Sequence, residues 1–369
     1  MAECESGRGR TYDASFADII AAGTRTVTLD DGLELELRPM PDETREHALD
    51  PRVYELTKKR LSGVFATPAG SDFEAMRKRP NKENHDIDAG GVVETVETMH
   101  LSGSDGDDER DILLYVFTPA GVEAPAPVVA FYHGGGFTVG NIGMYRPAMR
   151  YLAEQAGCVV VFPDYRLAPE HPFPAGLNDC DATLDYLAEH AERLGIDMDR
   201  VAVAGDSAGG SLANGVVQLR AGTGLVKLVM EMYPAVDSGP VPPEWSYELY
   251  PWLPEQAVEA KSRVDRIKAS AGDLSCVYTS GDAAKMLDPL ISAAYCDDLS
   301  VFPRTVVASS EFDYLRYQDE RFAQQLYAAG VDVRAIRYLG CDHGFFEACG
   351  VMPQAEDLCR VMAEEVRAL

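Results

Sequence analysis

Val201-Ala-Val-Ala-Gly205-Asp206-Ser207-Ala208-Gly209-Gly210 is an apolar run of strand length that passes through a G-x-S-x-G turn straight into a helical pattern. At such a turn a serine hydroxyl projects away from the sheet. The N–H groups that follow it, at the start of the helix, face any negative charge developing in front of them. Glycine at 205 and 209 tolerates the crowding of so sharp a turn. A bare G-x-S-x-G arises often by chance; the strand before and the helix after make Ser207 a nucleophile candidate, against the alternative of an ordinary glycine-rich βα turn.

Working outward, His133-Gly-Gly-Gly-Phe137 follows the apolar run 128–132. Consecutive glycines let backbone amides point into a site without obstruction, as stabilisation of an oxyanion requires. The rival for a glycine run is a phosphate loop, but neither a Gly-Lys-Ser/Thr ending nor G-x-G-x-x-G is present. A functionless loop is the remaining alternative.

A serine nucleophile needs a base, and the base an orienting acid, in the order Ser, Asp/Glu, His on this kind of sheet. Of the seven histidines only His343, in Cys341-Asp-His-Gly-Phe345, lies after the turn, on the loop beyond the last strand candidate. The acid is less determined, since Asp288, Asp297, Asp298, Asp313 and Asp332 all lie between serine and histidine. Asp313 comes directly after the apolar run 305–308, at the carboxyl end of a strand, where sites on such sheets are built. Asp297 and Asp298 precede that strand and Asp332 begins the next one at its wrong end. Asp342, beside the histidine, is the rival that remains.

The rest of the chain supplies the frame. Apolar runs at 112–117, 128–132, 159–162, 201–204, 225–232, 305–308 and 333–338 alternate with helical patterns at 145–155, 175–194, 209–220, 319–329 and 354–369. That alternation predicts an α/β fold with a mostly parallel central sheet flanked by helices. Residues 240–285 interrupt the scheme and hold both tryptophans, Trp245 and Trp252, which predicts a cap inserted before the acid strand. Ahead of the sheet, residues 1–88 form an N-terminal extension and a further part of the cap. They comprise a short helix at 16–22, a hairpin at 26–37, a helix opened by Asp50-Pro51, and a polar connector at 67–90 expected to be mobile. Residues 89–369 are the main domain.

The 369 residues are 46% apolar and 25% charged, with 33 basic against 60 acidic side chains and a net charge of −27. Such acidity repels polyphosphate and anionic membranes, excluding nucleic acid and membrane as partners and serving solubility, with a salty habitat as a second reading. The opening MAECESGRGR lacks an apolar core, and no stretch approaches the roughly 18 apolar residues of a membrane span, which predicts a cytoplasmic protein. Eight cysteines without a C-x-x-C pair read as buried or free thiols.

Taken together these pieces resemble the bacterial hormone-sensitive-lipase-like esterases, α/β-hydrolases related to acetyl esterases. The resemblance rests on His133-Gly-Gly-Gly-Phe137, Asp164-Tyr-Arg-Leu-Ala-Pro-Glu-His-Pro-Phe-Pro-Ala175, Gly205-Asp-Ser-Ala-Gly-Gly210, Asp288-Pro-Leu-Ile-Ser292 and His343-Gly-Phe345, in order over about residues 48–369. It implies the α/β-hydrolase fold and a serine carboxylesterase acting on small ester substrates. The implied triad is Ser207, His343 and Asp313, the oxyanion donors are the amides of Gly135, Gly136 and Ala208, and no metal or cofactor is needed. The Asp164–Ala175 block is implied to be structural. Two departures stand out. The family's Asp-x-Leu-Arg-Asp-Glu reads Asp313-Tyr-Leu-Arg-Tyr-Gln318 here, with acids returning at Asp319 and Glu320, which bears on where the local helix starts. The first 45 or so residues exceed the family's opening, and a pocket wall or a homo-oligomer contact are the roles open to them. The capped site favours a short acyl chain. Trp245 and Trp252 are candidates to line the substrate pocket, or else form the cap's own core. An amidase or peptidase using the same triad, and a small-molecule receptor of the same fold that binds without hydrolysis, are the alternatives.

Overall fold

The computed structural model describes residues 9–62, 72–78, 83–87, 90–103 and 109–369. The apolar runs become the interior of one ten-stranded sheet. Its strands are β1 (Arg25–Thr28), β2 (Glu34–Arg38), β3 (Val92–Leu101), β4 (Arg110–Pro119), β5 (Ala126–Tyr132), β6 (Val159–Pro163), β7 (Ile196–Asp206), β8 (Val226–Met232), β9 (Arg304–Phe312) and β10 (Val333–Asp342), in the order β1-β2-β10-β9-β8-β7-β5-β6-β4-β3. From β6 across to β2 every neighbouring pair is parallel, and antiparallel pairs occur only at the two ends. All of β5 and β6 is buried, as parallel strands covered on both faces must be, which is why they read as unbroken apolar runs.

Two layers of helices supply that cover. Ile142–Ala156 and Pro353–Arg367 close one face with Tyr145, Met149, Leu358 and Met362. Ala175–Glu189, Ala208–Leu219 and Arg316–Ala328 close the other with Leu184, Leu212 and Phe322. The segment read as one helix over 175–194 is two, broken at His190 before the short helix Ala191–Leu194. The inserted segment contains a 22-residue helix, Ala257–Tyr278, and its Tyr250, Val264 and Ile267 form a small core together with Tyr314 and Leu315 of the loop after β9. Among the described residues no helix is long and apolar enough to cross a membrane. The seven described cysteines are free thiols, five of them buried; Cys4 lies outside the described residues.

The N-terminal segment divides between sheet and cap. The hairpin pairs Thr26 with Glu36 as expected, but its second strand continues the sheet by parallel pairing of Leu35 with Ala335 on β10. Asp50 caps the next helix, Pro51–Leu61, by accepting from the Arg52 N–H at 2.9 Å, and that helix packs on Ala257–Tyr278. The connector read over 67–90 lies outside the described residues at 67–71, 79–82 and 88–89. Where it is described it is docked rather than free, a correction to the expected mobility. Arg77, in the helix Phe73–Arg77, donates to the carbonyls of Thr138 (2.7 Å) and Ala168 (2.8 Å). Asn84 donates to those of Gly143 (3.2 Å) and Met144 (2.8 Å).

Leu35 is 1% exposed and sits in the same core as β5 and β7. Leu35→Ala is therefore expected to cost about 2–5 kcal/mol in urea unfolding, the scale of a truncated core leucine. A loss near zero would mark the hairpin as an appendage.

Candidate active site

Strand β7 delivers Ser207 with φ 54° and ψ −121°, a conformation that side chains other than glycine seldom adopt. Neighbouring backbone holds it there: the Ser207 N–H donates to the Met232 carbonyl (2.9 Å), and the Ser207 carbonyl accepts from the amides of Ala235 (3.0 Å) and Gly210 (3.1 Å). The helix Ala208–Leu219 starts so close to β5 that a Cβ on Gly209 would collide with the Tyr132 carbonyl.

Two loops from β9 and β10 meet this hydroxyl. His343 Nε2 lies 2.9 Å from Ser207 Oγ, and His343 Nδ1 lies 2.6 Å from Asp313 Oδ2. Asp313 is fully buried, and its other oxygen accepts the Leu315 N–H at 3.0 Å, which orients the carboxylate edge. The helix that follows starts at Arg316, so the departure from the family's acid motif leaves Asp313 in reach of the histidine. Asp342, the rival acid, is turned to the cap, where Arg263 Nε donates to its Oδ2 at 2.7 Å and the Arg263 Nη2 also donates. Asp297 is exposed, Asp298 caps a short turn through Ser300, Asp332 pairs with Arg304, and Asp288 bonds its own loop at Leu290.

The glycine loop stands beside the serine. Gly134 N–H donates to Asp206 Oδ1 at 2.7 Å, and Tyr145 Oη donates to Asp206 Oδ2 at 3.1 Å. That leaves the next two amides, of Gly135 and Gly136, with no acceptor among the described residues. The Ala208 amide, at the first turn of its helix, has none either. Gly135 and Gly136 are half-buried and Ala208 is buried, and amides left without acceptors there suit an anionic oxygen. Gly135 has φ 117°, and a Cβ there would strike the Val139 carbonyl. His133 is structural: burial pushes its imidazole down to about 4, so it is neutral, and it stacks on Tyr165 with centroids 4.3 Å apart. The Asp164–Ala175 block braces the same loop, with Tyr165 Oη donating to the His133 carbonyl (2.6 Å) and the Ala168 N–H to that of Phe137 (2.9 Å).

Trp245 and Trp252 separate. Trp245 donates to Tyr250 Oη (3.1 Å), stands 5.4 Å from the Tyr314 ring, and lines a recess with Asp237, Pro242, Tyr314 and Tyr317. Trp252 packs against Tyr247 in the cap core, away from that recess. Several contributors were not anticipated. Tyr233 places its ring 4.8 Å from His343. Arg266 donates to the His343 carbonyl at 3.1 Å. Tyr278, at the end of the cap helix, stacks on Phe137 at 3.9 Å. Among the described residues no group of His, Cys, Asp and Glu is placed to hold a metal ion.

Behind the serine helix lies a buried polar pair, Glu231 on β8 and Asn214, whose Nδ2 donates to Glu231 Oε2 at 3.1 Å. Burial pushes the Glu231 carboxyl up to about 8 from its ordinary 4.5, and it drives Asp319 nearby well above the usual range as well. Between pH 4.5 and 8 the folded chain keeps a proton on Glu231 that the unfolded chain has released, so stability falls as pH rises through that window.

The family described as alpha/beta hydrolase fold matches residues 129–347. The carboxylesterase NlhH of Mycobacterium tuberculosis is 34% identical over 269 residues, 71% of this chain and 80% of that one. The esterase LipI of the same organism is 33% identical over 237 residues, 64% of this chain and 70% of that one. Among solved structures, the hyperthermophilic esterase of Pyrobaculum calidifontis superposes with a TM-score of 0.69 at 27% identity, covering 87% of this chain and 98% of that one.

Glu231→Gln removes the titration while keeping the shape of the side chain. Relative to the parent it is expected to gain on the order of 1 kcal/mol per pH unit between pH 5 and 8 in urea unfolding. Parallel pH profiles for the two proteins would refute the buried proton.

Proposed function

The chain belongs to the hormone-sensitive-lipase-like family of alpha/beta hydrolases, and on that footing we propose that it hydrolyses short-chain carboxylic esters through Ser207, His343 and Asp313. The observation that carries this reading is the imidazole of His343, 2.9 Å from the serine hydroxyl on one nitrogen and 2.6 Å from a buried carboxylate on the other. Asp313 fixes the tautomer with the proton on Nδ1, which leaves Nε2 free to accept the proton of Ser207 Oγ–H. The serine oxygen then adds to the ester carbonyl. Charge collects on the carbonyl oxygen, where the amides of Gly135, Gly136 and Ala208 converge on it.

As the tetrahedral intermediate collapses, the C–O bond to the alcohol breaks and His343 gives its proton to the departing oxygen. Water enters, loses a proton to His343, adds to the acyl-serine and restores the hydroxyl. In this reading residues 89–369 form the catalytic domain and residues 240–285 its cap, completed by part of the segment 1–88. In this reading the recess lined by Trp245 and by Tyr314, the residue after Asp313, receives the acyl chain.

Initial rates on p-nitrophenyl esters from acetate to dodecanoate are expected to peak at a short chain and to vanish with Ser207→Ala. An amine-releasing activity on amides with no turnover of any ester would favour the amidase, and binding without turnover would favour the receptor. Asp313→Asn, which holds the wrong tautomer, is expected to lower kcat by about 10⁴ with little change in KM. A loss below tenfold would remove Asp313 from the triad.

A further inference from the structure

The recess beside Tyr314 combines aromatic walls with a single carboxylate. Trp245, Tyr314, Tyr317, Gln318 and Asp237 line it, and among the described residues no lysine, arginine or histidine does. It has room for a group about the size of a water molecule. Asp237 Oδ1 is occupied, accepting the Gly239 N–H at 2.8 Å and the Tyr295 hydroxyl at 3.0 Å. Among the described residues Asp237 Oδ2 accepts no hydrogen bond and no cation pairs with the carboxylate, although the side chain is half-buried. A carboxylate withdrawn from water in this way is stabilised by a positive partner.

The rings around it already draw cations on their other neighbours. Lys268 Nζ lies 3.9 Å from the centroid of the Trp245 ring, and the Arg321 guanidinium lies 5.3 Å from that of Tyr317, whose hydroxyl accepts from Arg321 at 2.8 Å. Neither cation lines the recess itself. Two links tie the recess to the reacting groups. Tyr314 follows Asp313 in the chain, and Asp237 stands two residues beyond Ala235, whose N–H donates to the Ser207 carbonyl at 3.0 Å. Two residues of chain span at most about 7 Å, which puts the Asp237 carboxylate within reach of an acyl chain of a few carbons on Ser207.

We propose that this recess is an ammonium subsite: an acyl chain ending in a protonated amine enters it, and the amine donates to Asp237 Oδ2 among the rings of Trp245, Tyr314 and Tyr317. The preferred substrates are then esters of amino acids, held by a charge-assisted hydrogen bond and by the aromatic faces. The subsite rests on the esterase reading, with the acyl chain in this recess, and adds a substrate class to it.

The test compares kcat/KM at pH 7, by pH-stat titration, for the methyl esters of β-alanine and 6-aminohexanoic acid with those of butanoic and heptanoic acid, in which a methyl group replaces the ammonium. The ratio of each pair, compared between proteins, cancels the intrinsic reactivities of the esters. Asp237→Asn keeps the shape of the side chain and removes its charge, and is expected to lower the ammonium-to-methyl ratio about tenfold for at least one length, the scale of one charge-assisted contact. Tyr317→Leu, which takes away one ring and leaves the carboxylate, is expected to lower the same ratio about threefold. Ratios unchanged at both lengths in both variants, with the methyl-ended esters still hydrolysed, overturn the ammonium subsite and leave the esterase reading standing. Failure of the parent to hydrolyse any of the four esters or any p-nitrophenyl ester overturns both.

Discussion

The hydrogen bond from the Gly134 N–H to the Asp206 carboxylate, 2.7 Å long and fully buried, ties the loop after β5 to the turn after β7. Strands β5 and β7 pair in parallel as far as Tyr132 and Gly205, and this bond carries their connection on into the loops. In a low-dielectric interior a charged acceptor makes such a contact strong, and the Tyr145 hydroxyl on the second carboxylate oxygen keeps the group from swinging. Gly134 spends its amide on Asp206, so the chain entering Gly135 and Gly136 is fixed beside the turn that carries Ser207. The strained backbone of Ser207 is held from the other side by β8 and Ala235, so the serine turn and the glycine loop form one bonded unit.

The base is fastened to a different body. Arg263 and Arg266 reach from the cap helix to Asp342 and to the His343 carbonyl, while Leu274 of the same helix stands against Gly136 and Tyr278 lies flat on Phe137. One helix thus touches both the oxyanion loop and the histidine loop. A shift of this helix would therefore move the glycine loop and the histidine loop relative to each other.

Much of this was legible in the chain because it is written locally. The strand, turn and helix around Ser207, the glycines at 134–136 and the isolated position of His343 each declare themselves within a few residues. Asp313 was separable from its rivals only by its place at the end of a strand, and Asp342 lost its claim through an arginine 79 positions away. Contacts of that span leave no periodic trace, which is why the cap-helix arginines and Tyr233 were not foreseen. Strand β3 escaped for another reason. Val93 and Val96, which point to opposite faces of the strand, are 57% and 53% exposed, so the alternation of inside and outside that marks a half-buried strand is blurred.

The hairpin at the amino end has a consequence for the base. Without β2, strand β10 would be the border of the sheet, its outer row of amides and carbonyls open to water and to fraying. With β2 paired along residues 335–338, the border moves outward to the four-residue β1, and β10 becomes an interior strand bonded on both flanks. The histidine is therefore mounted on a beam supported from both sides. To loosen its root, two ladders have to open together instead of one.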